Sequence, residues 1–284
     1  MRLVRLATGD RVPALGFGTW RMGEAKRTRA ADVAAVKTAL AIGYRLIDTA
    51  EMYGDGGAEE VVGAAIQETL QAGNVSRTEL TVVSKVLPSN ASHADVLRAC
   101  KRSLKRLQLD VIDLYLLHWR GSVPLKETVA AFEQLRHEGR IRHWGVSNFD
   151  TADMQQLWSL PVGANCVANQ VYYSASKRGV EFDLLPWQRN HDVVTMAYSP
   201  IDQGALARDT TFAAIGRRHG VSASSVALAW VLQQPDVIAI PMSASEPHLR
   251  ENFAAANLEL NADDLAQIDA QFQPPKRKRP LATT

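Results

Sequence analysis

The chain has 284 residues, 46% of them hydrophobic, and 32 Lys and Arg set against 30 Asp and Glu leave a formal net charge of +2. That length buries a substantial core as one large α/β domain or two smaller ones, and the near-balanced charge gives no footprint for a nucleic-acid partner. Two cysteines, Cys100 and Cys166, make neither a disulfide framework nor a metal spacing, and the seven histidines show no H-x-H or H-E-x-x-H pattern. No apolar run approaches the roughly 20 residues of a membrane span, and the opening MRLVRLATGD has no secretory apolar region, so a soluble, cytoplasmic, metal-free protein is expected, and a monomer.

In chain order, RLVRLATGDRVPAL alternates about Gly9-Asp10 as a β-hairpin, which would plug one end of a barrel rather than join its wall. Short apolar runs and amphipathic stretches then alternate. GFGTW (16–20) precedes a helix over 28–42, in which Val33, Val36, Leu40 and Ile42 follow helical spacing. YRLID (44–48) precedes a helix over 58–70, LTVVSK (80–85) one over 93–107, and VIDLYLLH (111–118) one over 125–139 closed by Gly139. IRHWGVS (141–147) precedes 151–159, CVANQVY (166–172) precedes 180–190, DVVTMAYSP (192–200) precedes 210–219 and 222–234, and DVIAIP (236–241) precedes 246–256. Eight strand-plus-helix units without a Gly/Ser linker predict an α/β fold, a (β/α)8 TIM barrel in a single domain over 1–284. A doubly wound sheet would want an early G-x-G-x-x-G turn, and GFGTWRMG does not open a helix in that way. An extra helix over 262–270 and the basic tail over 273–284, read as solvated and flexible, fall outside the repeat.

Parallel barrel strands end together on one face. Asp48, Lys85 and His118 stand at the C-terminal ends of three of the runs, and Tyr53 lies in the loop five residues past Asp48. A phenol beside an ammonium, a carboxylate and an imidazole is a proton donor suited to carbonyl reduction. A free phenol has a pKa of about 10, too high for ready donation, so Lys85 is expected to lower the pKa of Tyr53 while Asp48 keeps Lys85 charged. His118 is placed to fix a carbonyl oxygen. Singly, each residue has a blander reading: Asp48 a loop cap, Tyr53 a surface aromatic, His118 a satisfied core histidine. A lysine inside VVSKV is harder to dismiss, because burial demands a partner. A barrel hydrolase with paired carboxylates would have to use neighbours such as Glu59 and Glu60, which point different ways on a helix.

With these residues on a barrel, the chain resembles the aldo-keto reductase superfamily over nearly its whole length, about 2–275. LIDTAEMYG, the SK at 84–85, LLHW (116–119), GVSNF (145–149), NQVYY (169–173), AYSP (197–200) and IPMSASEPHLREN (240–252) match that family's segments in order. GTWRMGE, SKVLPSNAS, HWRGSVPL and FDLLPW resemble a bacterial branch that includes methylglyoxal-reducing enzymes. The resemblance implies the same roles for Asp48, Tyr53, Lys85 and His118, and a nicotinamide dinucleotide along the C-terminal barrel face. Gly18, Thr19 and Trp20 of the first loop and Asp48 would lie near it, with Ser147, Asn148 and Gln170 on the carboxamide and Tyr198 stacked on the ring. Ser199, Pro200, Ile201, Gln203 and Ile240 would continue the groove, and Met242, Ser243, Ser245, His248, Glu251 and Asn252 would reach the phosphate and adenine end. The family usually grips the 2′-phosphate of NADPH with a lysine and an arginine where Met242 and His248 stand here, and Arg250 lies on the wrong helix face. NADPH is therefore expected as the favoured cofactor, with weakened discrimination and NADH use possible. Trp20, Met52, Tyr53, His118 and Trp119 would form an open, aromatic-walled pocket for a small-molecule carbonyl substrate such as methylglyoxal, while Trp187 reads equally well as core. A cofactor-binding auxiliary or sensor subunit on the same barrel is the alternative.

Overall fold

A computed structural model describes residues 2–24 and 28–283. The chain opens with the expected hairpin, β1 (Leu3–Arg5) antiparallel to β2 (Arg11–Pro13), with Gly9 at a φ of 93° in the turn. It lies across the N-terminal end of the barrel. Arg2 donates to the carbonyls of Gln234 and Val237 at 3.1 and 3.0 Å, and Asp10 meets His143 at 2.8 Å.

The barrel wall is an eight-stranded sheet in strict sequence order: β3 (Phe17–Gly18), β4 (Leu46–Asp48), β5 (Thr81–Val86), β6 (Ile112–Leu117), β7 (Ile141–Ser147), β8 (Cys166–Tyr172), β9 (Val194–Tyr198) and β10 (Val237–Ile240). Every neighbouring pair is parallel. The ends of this sheet meet each other: Leu15 bridges to Ala239 and Gly18 to Met242, and the N–H groups of Gly16 and Gly18 donate to Ala239 and Pro241. The sheet is thereby closed into the predicted (β/α)8 barrel. Strands covered on both faces read as continuous apolar runs, and all of β6 and all of β8 are buried.

Helices α1 (Arg29–Ile42), α2 (Gly57–Gln71), α3 (His93–Leu107), α4 (Leu125–His137), α5 (Thr151–Trp158), α6 (Leu184–Arg189), α7 (Thr210–His219), α8 (Ala223–Leu232) and α9 (Glu246–Ala255) surround the wall, followed by α10 (Ala262–Gln271). Their starts are written in cap residues: Thr28, Ser92, Asp150, Asp209, Ser222 and Asn261 each accept a backbone N–H from the first turn. Gly139, at φ 69°, is the C′ residue of α4, as its position predicts. Among the described residues no helix is long and apolar enough to cross a membrane.

One sequence reading is corrected. The helix expected over 180–190 is a 3₁₀ turn (Gly179–Glu181) followed by the short α6, because Asp183 leaves helical geometry (φ −137°) and Pro186 is tolerated only in a first turn. The basic residues of the tail, 276–279, are exposed, as a solvated tail predicts, and the tail has contacts along the surface. Lys278 lies 3.2 Å from Asp183 and 3.8 Å from Asp150, Leu281 packs against the core, and Arg279 lies against Gly179.

Candidate active site

Strand ends bring the four predicted side chains into one group at the head of the barrel. Lys85 Nζ donates to Asp48 Oδ2 at 2.7 Å, to the Thr49 carbonyl at 2.9 Å and to Tyr53 Oη at 3.2 Å. The other carboxylate oxygen of Asp48 accepts from Gln170 Nε2 at 2.7 Å. His118, just past β6, meets the Tyr53 ring edge-on with centroids 5.7 Å apart. The Lys85–Asp48 pair is almost wholly buried, at 0% and 3% side-chain exposure, so removing either partner would strand a charge in the interior.

Burial and charge compete here with different outcomes. For Tyr53, burial pushes the phenol up, the Lys85 charge pulls it down and Asp48 adds an upward push; the net effect is a raised pKa. The lowered phenol expected from sequence is therefore not what the packing produces, since burial, with Asp48 adding to it, outweighs the pull of Lys85. For Lys85 itself, burial favours the neutral amine, but Asp48 and Tyr53 outweigh it, and the ammonium is held above its ordinary range. Burial, with Lys85 nearby, drives His118 well below the usual imidazole range, so the ring is neutral. Its Nδ1 is enclosed and without a partner.

The loop carrying Tyr53 is fixed on both sides. Glu51 accepts from the Leu87 N–H and from Asn90 Nδ2, both at 2.8 Å, tying the loop to the end of β5. On the other side it packs on the β3 loop through glycines. Gly23 has a φ of 70°, and a Cβ there would sit 2.3 Å from the backbone of Gly57. Of the neighbouring acids, Glu59 is buried against Ser84 Oγ and Arg106 Nε, each at 2.6 Å, while Glu60 faces Arg29 at 3.3 Å outside. They share no site, which removes the paired-carboxylate reading.

Above the group lies a cavity of about 750 Å³. Trp20, Met52, Tyr53, His118 and Trp119 line one part, with Met52 and Trp119 46% and 38% exposed at an open mouth. Gly18, Asp48, Ser147, Asn148, Gln170 and Tyr198 line another, continued by Ser199, Pro200, Ile201, Gln203, Ile240 and Met242. The polar groups expected to face a carboxamide are already linked to one another. Ser147 Oγ donates to the Gln170 carbonyl at 2.9 Å, Asn148 Nδ2 donates to Ser147 Oγ and the His118 carbonyl at 3.1 Å, and Tyr198 Oη donates to Asn148 Oδ1 at 2.8 Å. Left-handed backbone gathers along this wall, at Asn148, Ser199, Asp202 and Gln203 (φ 57°, 49°, 50° and 52°), the kind of strain that clusters at ligand sites. Asp202 is pinned by Ser176 Oγ at 2.7 Å and by the Tyr172 hydroxyl.

Other predicted residues lie elsewhere. Thr19 is fully buried with Oγ1 donating to the Asp48 carbonyl, so it braces the site from behind instead of facing the cavity. Lys85 is likewise behind the wall. Ser243, Ser245, His248, Glu251 and Asn252 are not on the cavity wall and lie from just before α9 to its middle, where the Ser245 N–H donates to Ser243 Oγ at 3.2 Å, His248 is exposed and Asn252 is buried. Arg250 is paired with Glu246 at 2.7 Å. Trp187 belongs to a separate cluster, stacked on His191 at 3.9 Å and edge-on to Trp158. Sequence reasoning missed Arg21, Arg120, Gly204, Pro241 and Thr283 on the cavity wall. The two arginines directly follow the predicted tryptophans and were findable on that ground; Thr283, far along a basic tail, carries no local signal.

Comparison with known proteins agrees with this architecture. The model of the Aldo/keto reductase family matches residues 14–272. Methylglyoxal reductase YeaE of Escherichia coli (strain K12) is 44% identical, covering 99% of this chain and 98% of that protein. Glyoxal reductase of Bacillus subtilis (strain 168) is 34% identical over 94% of this chain and 91% of its own length. An aldo-keto reductase from Klebsiella pneumoniae, crystallised in complex with NADPH, superposes with a TM-score of 0.94 at 45% identity, covering 100% of this chain and 99% of that one. With a family match spanning the barrel and close relatives along its whole length, the chain belongs to the aldo/keto reductase family.

Proposed function

We propose that this protein reduces aldehydes and ketones to alcohols at the head of its barrel, with NADPH as the favoured hydride source. The observation that carries the reading is the buried chain Asp48–Lys85–Tyr53 ending beside a neutral His118 at the base of an open cavity. The cavity wall suits a nicotinamide: a linked strip of Ser147, Asn148 and Gln170 offers amide and hydroxyl groups, and the Tyr198 ring offers a stacking face. NADPH bound there supplies a hydride to the carbonyl carbon.

The chain's own residues handle the oxygen. Tyr53 Oη gives its proton to the carbonyl oxygen, and Lys85, 3.2 Å away, stabilises the phenolate left behind. Asp48 keeps Lys85 charged and aimed. Because an enclosed lone pair is cheaper to leave unpaired than an enclosed N–H, the His118 proton resides on Nε2, from which it donates to the same oxygen. Small reactive aldehydes such as methylglyoxal form the substrate class, supported by the 44%-identical methylglyoxal reductase and by the open mouth between Met52 and Trp119.

The test is aldehyde-dependent NADPH oxidation by Tyr53→Phe. Turnover should fall by about 10²- to 10⁴-fold while NADPH binding, read by fluorescence, persists. Turnover within tenfold of the parent would remove Tyr53 from the mechanism, and NADPH binding without any aldehyde turnover in the parent would favour an auxiliary, cofactor-sensing subunit.

A further inference from the structure

Glu59 carries a buried carboxylate that no step of the proposed reduction uses. It stands in the first turn of α2, wholly enclosed, and is not part of the cavity wall. A carboxylate is kept inside a protein only where donors surround it. Here Oε1 accepts from Ser84 Oγ at 2.6 Å, and Oε2 accepts from Arg106 Nε at 2.6 Å with Nη2 equally close. The two partners adjoin opposite halves of the Tyr53–Lys85 pair. Ser84 directly precedes Lys85 on β5, and neighbouring strand residues face opposite ways, so Ser84 reaches out to α2 while Lys85 reaches into the barrel. Arg106, near the end of α3, lies against the turn that carries Tyr53. A Cβ on Gly56, the last residue of that turn, would sit 2.7 Å from Arg106 Cδ and Nε. Further along α2, a Cβ on Gly63 would sit 2.5 Å from the Arg106 carbonyl oxygen, so the helix is seated on this one residue at two levels. The turn needs such support. Gly54, Asp55 and Gly56 are all left-handed, at φ 57°, 53° and 89°, and strained backbone persists only where its surroundings impose it. Of the three hydrogen bonds from Lys85 Nζ, the one to Tyr53 Oη is the longest, at 3.2 Å, and so the easiest to lose.

We propose that Glu59 is a positioning residue for the reaction. By bridging Ser84 and Arg106 it fixes the backbone of Lys85 and the Tyr53 turn relative to each other, and so holds phenol and ammonium at the separation that proton donation requires. A displacement of about 1 Å, even one caused far from the chemistry, can cost about a hundredfold in rate. The assignment rests on the carbonyl-reduction reading above and adds to it a residue that touches neither the cavity nor the reacting atoms.

The experiment measures methylglyoxal reduction at saturating NADPH by the parent and by Glu59→Ala, Glu59→Gln and Ser84→Ala. Turnover is counted per NADPH-binding site, because breaking a buried ion pair also loosens the fold and unfolded protein must not enter the comparison. In Glu59→Ala, kcat should fall by about 10- to 100-fold with KM and NADPH affinity nearly unchanged, the pattern of an interaction that matters only in the transition state. The solvent deuterium isotope effect on kcat should rise, since proton donation is the step made slower; a loss of folded protein alone leaves it at the parent value. The amide of Glu59→Gln has the same reach, with its oxygen toward Arg106 and its N–H toward Ser84 Oγ, so most of kcat should return. Ser84→Ala cuts one end of the bridge and leaves the ion pair in place, and should lower kcat by about three- to tenfold, the size of one hydrogen bond. An isotope effect unchanged in Glu59→Ala, or a Glu59→Gln variant no better than Glu59→Ala, overturns the assignment while leaving carbonyl reduction intact. If Glu59→Ala keeps no NADPH-binding site, Ser84→Ala decides, and a parent-like kcat there overturns the assignment. A parent that reduces neither methylglyoxal nor benzaldehyde overturns carbonyl reduction and this assignment together.

Discussion

Ionisable groups at the head of the barrel are set by burial as much as by their neighbours. Burial raises Tyr53, disfavours charge on Lys85 and lowers His118, and only for Lys85 does a partner reverse the sign. Consequences for pH follow directly. With its pKa depressed, His118 takes a proton only as pH falls well below the ordinary imidazole value of about 6.5, so its neutral form persists through neutrality. With its pKa raised, Tyr53 keeps the proton that the proposed mechanism has it donate until pH exceeds the ordinary phenol value of about 10. The kcat/KM for aldehyde reduction, at saturating NADPH, should therefore stay flat from about pH 6 to about pH 9. An inflection near 6.5 would contradict the neutral His118. At this scale the four candidate residues were legible because Asp48, Lys85 and His118 end recognisable apolar runs and Tyr53 follows Asp48 by five residues. The sign of the Tyr53 shift was not, because desolvation depends on packing that a sequence does not display.

At the level of elements, strand ends and helix caps carried most of the legible information. Thr28, Ser92 and Ser222 mark helix starts by the short side-chain oxygens that satisfy first-turn N–H groups. The segment around α6 misled because an apolar periodicity masks Asp183 and Pro186, which confine the helix to Leu184–Arg189. The start of α9 bears on cofactor choice. Its free N–H groups favour an anion, but the permanent cation near it, Arg250, is tied to Glu246, and Met242 on the cavity wall brings no charge. The ratio of kcat/KM for NADPH over NADH should accordingly stay below about a thousandfold, roughly 4 kcal/mol, and Met242→Lys should raise it by tightening NADPH more than NADH. A parent ratio above that bound, or a Met242→Lys variant that tightens both cofactors equally, would show that phosphate is recognised elsewhere.

Across the whole molecule, eight strand-plus-helix units predicted a closed barrel, and the bridges from Leu15 and Gly18 to the last strand supply that closure. Legible too was the hairpin over the N-terminal end, since alternation about a Gly-Asp turn needs only local pattern. The path of the tail was not legible. It depends on Lys278 meeting two aspartates from distant loops, Asp150 and Asp183, and no periodicity encodes such a meeting.

That path matters at the bench. Arg2 is held at the N-terminal end of the barrel, while Thr283 is part of the cavity wall. An affinity tag or fusion partner joined ahead of the hairpin lies at the far end of the barrel from the cavity, whereas one that continues the C-terminal tail follows Thr283 on the cavity wall. Steady-state kinetics of the two tagged forms should differ, with KM for the aldehyde raised in the C-terminally extended protein and restored when a protease trims the extension. Equal constants for both forms would mean that the tail can leave the wall without consequence.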